Sequence, residues 1–207
     1  MRTLAARADA TTEIRRSRFH CRVERVASLD DAEAVIAAAR REHPQARHHG
    51  TALRLGEHAE RQRSSDDGEP AGTTGVPMLE VLTAWGLTDV VAVVSRSFGG
   101  VLLGAGGLVR AYGGAVAAAL ETATLVERVG FATLLVAADH ASAPRVEHAL
   151  REGDHRVADV GYGGAGVTLT VHVRPADVDD VTALVAALTS GRGEVVAGDP
   201  VVLDVPV

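Results

Sequence analysis

The chain contains no lysine, and all 21 of its basic residues are arginine. Two chemistries fall away at once: Schiff-base catalysis, and the phosphate-binding P-loop that depends on a lysine. Cysteine is almost absent too. The single Cys21 has no partner for an internal disulfide, and no cluster of thiols offers a structural zinc site, so no metal is expected. A reducing, cytoplasmic location is the expectation from that usage. Aromatic residues make up only 3% of the chain, which argues against an extensive aromatic platform for stacking bases. Long apolar runs are missing as well. Residues 1 to 18 lack the apolar core of a signal peptide, and no later stretch reaches the length of a membrane span.

What is present is small and aliphatic. Hydrophobic residues make up 46% of 207 positions, enough for one large domain or two small ones with a core built mainly of Val, Leu and Ala. The net charge of -6 is uneven: residues 1 to 128 carry 16 Arg against 16 acids, and residues 129 to 207 carry 5 Arg against 11. The acidic second part repels phosphate backbones, so nucleic-acid contact is assigned to the first.

Residues 14 to 25 alternate as a half-buried strand, with Phe19, Cys21 and Val23 on one face. Ser28 is read as an N-cap with Asp31 completing a capping box, and the helix ends near His43-Pro44. A strand over 46 to 55 follows, then an exposed, mobile loop from Gly56 to Ser65. Pro77 suits the first turn of the next helix. A buried strand over 90 to 95 leads into an alanine-rich helix from about 106 to 122, in which Gly113 and Gly114 call for either close packing or drift. After Glu127 the pattern restarts as β-α-β-β-α-β, with a hairpin turning through Gly163-Gly164 and a last strand over 194 to 205. That order is the signature of a ferredoxin-like module. The domains are placed at 1–127 and 128–207.

Two glycine-punctuated blocks stand out, 66 to 75 and 98 to 110. The first puts three carboxylates, Asp66, Asp67 and Glu69, around Gly68. They are read as turn formers and helix caps, as members of a binding cleft, or as acid-base groups. His48 and His49 are adjacent, so on a strand they face opposite ways and cannot chelate one ion together. Arg96 and Arg110, with the bare backbone of Gly99, Gly100, Gly104, Gly106 and Gly107, form a candidate phosphate cradle. The alternative is tight strand-to-helix turning with both arginines paired to the acids. Nucleophilic catalysis finds little support: Ser95 and Ser97 lie outside any G-x-S-x-G elbow, Cys21 has apolar neighbours, and the glycine spacing departs from a dinucleotide fingerprint. No catalytic residue and no cofactor is assigned.

Together these motifs resemble the YigZ/IMPACT family. The residues that carry the resemblance are Ser17-Arg18-Phe19, His48-His49, Asp66-Asp67-Gly68-Glu69-Pro70 with Gly72-Thr73 and Gly75, Arg96 with Phe98-Gly99-Gly100, and Leu103 to Tyr112. The resemblance implies an α+β chain: an N-terminal two-layer domain of the kind shared with GHMP-type kinases and a ribosomal protein domain, and a C-terminal ferredoxin-like domain similar to one in elongation factor G. It implies a cytoplasmic, non-enzymatic role related to translation, with RNA, the ribosome or a translation-regulating protein as partner and no membrane contact. A nucleotide- or phosphometabolite-binding enzyme or sensor using the same cleft is the alternative. Ser97 stands where the family usually has tyrosine, and Gly50-Thr51 where it has cysteine-tyrosine. The extra N-terminal partner-binding domain of eukaryotic relatives is not expected.

Overall fold

A computed structural model describes residues 1–207. In chain order the first part contains β1 (Arg2–Leu4), β2 (Ala8–Ile14), β3 (Ser17–Arg25), α1 (Leu29–Glu42), β4 (His48–Leu55), β5 (Arg61–Ser65), α2 (Gly75–Ala84), β6 (Val90–Ser97) and α3 (Ala105–Glu121). The second contains β7 (Leu125–Ala138), α4 (Ala143–Glu152), β8 (Arg156–Gly163), β9 (Gly166–Val173), a single 3-10 turn (Pro175–Asp177), α5 (Val178–Thr189), β10 (Glu194–Ala197) and β11 (Val201–Pro206). The chain divides into two compact units, Met1–Arg128 with Asp204–Val207, and Val129–Leu203. No helix is long and apolar enough to cross a membrane.

In the first unit five antiparallel strands form a sheet in the order β2-β3-β6-β4-β5. The run Val90 to Val94 is almost wholly buried because β6 lies at its centre with both faces covered. One face packs Phe19, Cys21, Val23, Ala92 and Val94 against Met78 and Leu82 of α2 and Tyr112, Ala115 and Ala119 of α3. Phe19 and Tyr112 meet edge-on there, with centroids 5.2 Å apart at 85°. The opposite face packs Leu53, Leu55, Val91 and Val93 against Ala32 and Ala39 of α1. Helix α1 starts where expected: Ser28 accepts from the Asp31 N–H at 3.1 Å, and Asp31 Oδ2 accepts from the Ala27 N–H at 3.1 Å.

In the second unit four antiparallel strands run in the order β8-β9-β7-β10. Leu134, Val136, Leu169 and Val171 form its core with Val146 and Leu150 of α4 and Val181 and Val185 of α5. Gly163 pairs with Gly166, so the hairpin turns on Gly164-Ala165.

Three local expectations are corrected and one open question narrows. The segment 56 to 65 is not all loop, since Arg61–Ser65 pairs with β4 as a fully exposed edge strand. The strand expected from residue 14 is the second arm of a hairpin whose first arm is β2. The last strand is broken by Gly198-Asp199-Pro200 into β10 and β11. Finally, Gly113 and Gly114 are not explained by close packing. A Cβ on Gly113 would lie 3.6 Å from the Pro77 carbonyl oxygen and from Val81, which is ordinary contact, and one on Gly114 would meet nothing within 4 Å.

Candidate functional site

The three acids of the first block have separate jobs. Asp66 closes the loop onto α2: Oδ1 accepts from the N–H groups of Thr74 and Gly75, each at 2.9 Å, and Oδ2 accepts from that of Gly72 at 2.8 Å. The start of a helix carries N–H groups with no partner inside it, and Thr74 at the N-cap offers no side-chain bond, so Asp66 supplies the acceptor from outside. Burial acts to raise its pKa, but the three donors outweigh it and hold the carboxyl below its ordinary value.

Asp67 ties the loop to β4 and α1. Its Oδ2 accepts from the His49 N–H at 2.7 Å, its Oδ1 from Arg40 at 2.6 Å, and its carbonyl oxygen from His48 Nδ1 at 2.9 Å. Asp67 and Gly68 both hold positive φ, +47° and +84°, so the block turns sharply and delivers Glu69 inward. For Asp67 too burial pushes the pKa up, yet the bonds from Arg40 and His49 leave it lowered.

Glu69 is buried against Arg96. Its Oε1 lies 2.6 Å from Arg96 NH1 and accepts from the Tyr112 hydroxyl at 2.9 Å, with the two charged side chains only 5% and 7% exposed. The guanidinium sits 5.6 Å from the ring centroids of both Phe19 and Phe98. Arg96 Nε and Thr74 Oγ1 are buried with no hydrogen-bond partner. Burial, and next the Glu69 charge, push the Tyr112 phenol up, so it remains a proton donor.

His48 and His49 face opposite sides of the sheet. His48 pairs across the ladder with Arg96, which pairs in turn with Phe19, and His49 pairs with Ser95. On the α1 side the buried His49 ring has its Nδ1 2.8 Å from Ser95 Oγ. Burial first, and then Arg40, lower its pKa, which keeps the ring neutral.

The second glycine block is open at one end and locked at the other. A side chain on Gly99 would place its Cβ 2.0 Å from the Arg16 carbonyl carbon, and its N–H donates to Ser17 Oγ at 3.1 Å. Only glycine fits that crossing. Gly100 follows in the loop with φ +87°, and Gly104, at φ +70°, is the N-cap of α3. No side chain caps this helix and no acid occupies its first turn, which holds Gly106 and Gly107. Arg110 is exposed, and its NH1 lies 3.8 Å from where a Cβ of Gly106 would be.

Two arginines outside the expected set lie against the loop that leads into this helix. Arg15 and Arg16 form the turn between β2 and β3 with positive φ at both positions, +48° and +67°. The Arg15 guanidinium donates to the Leu102 carbonyl at 3.5 Å, two residues before Gly104. No aspartate or glutamate occurs from Ser97 to Arg110. Phe98 is 57% and Leu102 81% exposed on the same loop. The sequence signal for this turn is weak, because Arg-Arg lacks the Asn-Gly or Asp-Gly pair that marks such hairpins. Gly50 was equally hard to read: a Cβ there would collide with the Thr74 methyl at 1.9 Å, so Thr74 fills the slot that a side chain at 50 would take.

The arrangement therefore separates two groups of sequence-identified residues. Asp66, Asp67, Glu69 and Arg96 are engaged with one another's loops and strands, whereas Arg110 and the Gly104–Gly107 backbone face outward.

Comparison with known proteins agrees with the motifs. The model of the Impact N-terminal domain matches residues 15–120, and that of a domain of unknown function, DUF1949, matches residues 136–192. The chain is 37% identical over 186 residues to the IMPACT family member YvyE of Bacillus subtilis, covering 90% of this chain and 85% of the relative. It is 36% identical over 195 residues to the IMPACT family member YigZ of Escherichia coli, covering 93% and 95% respectively. A crystal structure described as that of an hypothetical protein superposes with a TM-score of 0.61 at 34% identity, covering 96% of this chain and 97% of that one. With both halves matched in order and relatives covered nearly end to end, the chain belongs to the YigZ/IMPACT family.

Proposed function

We propose that this chain is a non-enzymatic, cytoplasmic regulator related to translation that binds RNA phosphate, free or on the ribosome, through the basic face made by Arg15, Arg16, Arg110 and the start of α3. The observation that carries this reading is the bare start of α3, with Arg110 one turn in and Arg15 reaching the Leu102 carbonyl of the loop before it, in a stretch from Ser97 to Arg110 without a carboxylate. Helix N–H groups and guanidinium groups are the donors that phosphate oxygens accept from. Family membership supports the translation-related role. Arg96 takes a different part from Arg110: held by Glu69, it shapes the loop that carries Phe98 and is not the charge offered to a ligand.

Within the same reading, the first unit is of the GHMP-kinase and ribosomal-protein kind, although with α1 on one face of its sheet and α2 and α3 on the other it has three layers where two were expected; the second is ferredoxin-like, with the boundary near residues 127 and 128. The second assignment draws support from the strand order β8-β9-β7-β10 with α4 and α5 packed on the shared core. The test is co-sedimentation of the purified chain with ribosomes. Binding that weakens with added salt and is reduced in Arg110→Ala supports the proposal; binding insensitive to both contradicts it.

The bare helix start also favours a second reading, in which the ligand is a nucleotide or phosphorylated metabolite. A thermal-shift screen of such compounds with and without magnesium separates the two: a saturable shift with a small molecule, and no salt-sensitive ribosome binding, favours the second.

A further inference from the structure

On the α1 side of the first sheet, facing away from α2 and α3, lies a cavity of about 270 Å³ that no part of the preceding reading uses. Its charged and imidazole lining comes from Arg7, Asp9, His20, Arg22, Glu42 and His43. The charged groups form one chain of contacts. Arg7 Nε donates to Asp9 Oδ2 at 2.6 Å, Asp9 Oδ1 accepts from Arg22 Nε at 3.2 Å, and Arg22 NH1 and NH2 donate to the two Glu42 oxygens at 3.1 and 2.6 Å. The Arg22 side chain is 9% exposed, whereas Asp9 and Glu42 are 44% and 49% exposed, so the network runs from the interior to the cavity mouth.

The donor inventory is not used up. A guanidinium carries five N–H groups. Arg22 spends one on each nitrogen, and Arg7 spends only its Nε. His20 and His43 stack at 4.4 Å with 9° between their planes, and Thr11 takes His20 Nδ1, which leaves Nε2. Burial, then His43, then Arg18 lower the His20 pKa, so the ring stays uncharged near neutrality. The lining therefore has no net charge but presents both signs, two guanidiniums and two carboxylates. A simple anion entering it meets Asp9 and Glu42, and a simple cation meets Arg7 and Arg22. Only a ligand that itself carries both signs finds a partner for each. The remaining lining is of small side chains, apolar at Ala10, Ala39 and Val93 and hydroxyl-bearing at Thr11 and Ser95, and the volume falls just below the roughly 300 Å³ at which drug-sized pockets begin.

We propose that this cavity binds a small zwitterion, an aliphatic α-amino acid, whose carboxylate is held by the spare N–H groups of Arg7 and Arg22 and whose ammonium group is held by Asp9 and Glu42. Ala39 and Val93 receive the aliphatic side chain, and Ser95, fixed by His49, forms the floor.

The experiment is calorimetric titration of the full chain with L-alanine, L-valine and L-leucine, alongside N-acetyl-L-valine and L-valinamide, which each lack one of the two charges. At least one of the three amino acids is expected to bind at concentrations up to about 10 mM and to raise the melting temperature in parallel. The two single-charge analogues are expected to bind at least about tenfold more weakly. Arg7→Gln and Glu42→Gln alter residues at the solvent-exposed mouth, and each is expected to weaken binding by about tenfold or more while the variant still unfolds cooperatively. Absence of binding by all three amino acids overturns the proposal. So does equal binding of either analogue, or binding unchanged in both variants.

Discussion

Glu69 Oε1 lies 2.6 Å from Arg96 NH1, and the same oxygen accepts the Tyr112 hydroxyl at 2.9 Å, all within the packed side of the first sheet. The pair joins the two glycine blocks: Glu69 leaves the sharp turn after Asp67, and Arg96 is the penultimate residue of the central strand, two positions before Phe98. It is an internal contact that fixes both loops.

Breaking that pair from one side leaves a buried charge alone. Glu69→Ala is expected to destabilise the chain by about 3–5 kcal/mol, because Arg96 stays buried without its carboxylate. Tyr112→Phe removes one hydrogen bond to the same oxygen and is expected to cost about 1.5–3 kcal/mol, since the acceptor is charged. Urea denaturation of the two variants checks both. A Glu69→Ala variant as stable as the parent contradicts the structural role assigned to the pair.

Acidification is expected to destabilise the chain in two stages. His20 and His49 have folded pKa values below the ordinary 6.5, so their contribution is complete above that value and is lost as pH falls through the folded values. Asp66 and Asp67 lie below 3.8, so their contribution is complete above it and disappears only at lower pH still. Unfolding free energy measured against pH should fall first below 6.5, and His49→Gln should flatten that first slope. A flat profile down to the carboxylate range contradicts the assignment.

Two glycines should respond in opposite ways to alanine. At Gly114 the added methyl meets open space inside a helix, so Gly114→Ala is expected to stabilise by about 0.5–1 kcal/mol. At Gly99 the methyl collides with the backbone at Arg16, and Gly99→Ala must displace the β2–β3 turn. Melting temperatures of the two variants should lie on either side of the parent's.

The same chemistry explains what was legible in the sequence. Adjacency within the strand read over 46 to 55 put His48 and His49 on opposite faces, and Ser28 announced the start of α1 through its capping oxygen. The turn-like reading of the acidic block agrees with the three backbone donors on Asp66. Strand β5 was hidden because Arg61 to Ser65 has no apolar period, its pairing with β4 being made by the backbone at an exposed edge. The β2–β3 turn was hidden because two arginines occupy a conformation that glycine and asparagine usually mark. Which acid holds which arginine was settled only by tertiary placement: Asp67 reaches Arg40 on α1, and Glu69 reaches Arg96.

The outward arginines are proposed to hold phosphate. Arg16 tests this with unusual clarity because glycine suits its φ of +67° better than arginine does. Arg16→Gly should raise stability slightly and yet weaken binding. The measurement is the affinity of a single-stranded RNA oligonucleotide across a salt series, by fluorescence anisotropy, for the parent, Arg16→Gly and Arg110→Ala. Weaker binding is expected in each variant, with a salt slope shallower by about 0.7 for each phosphate contact removed. Parent-like affinity and slope in both variants contradict it.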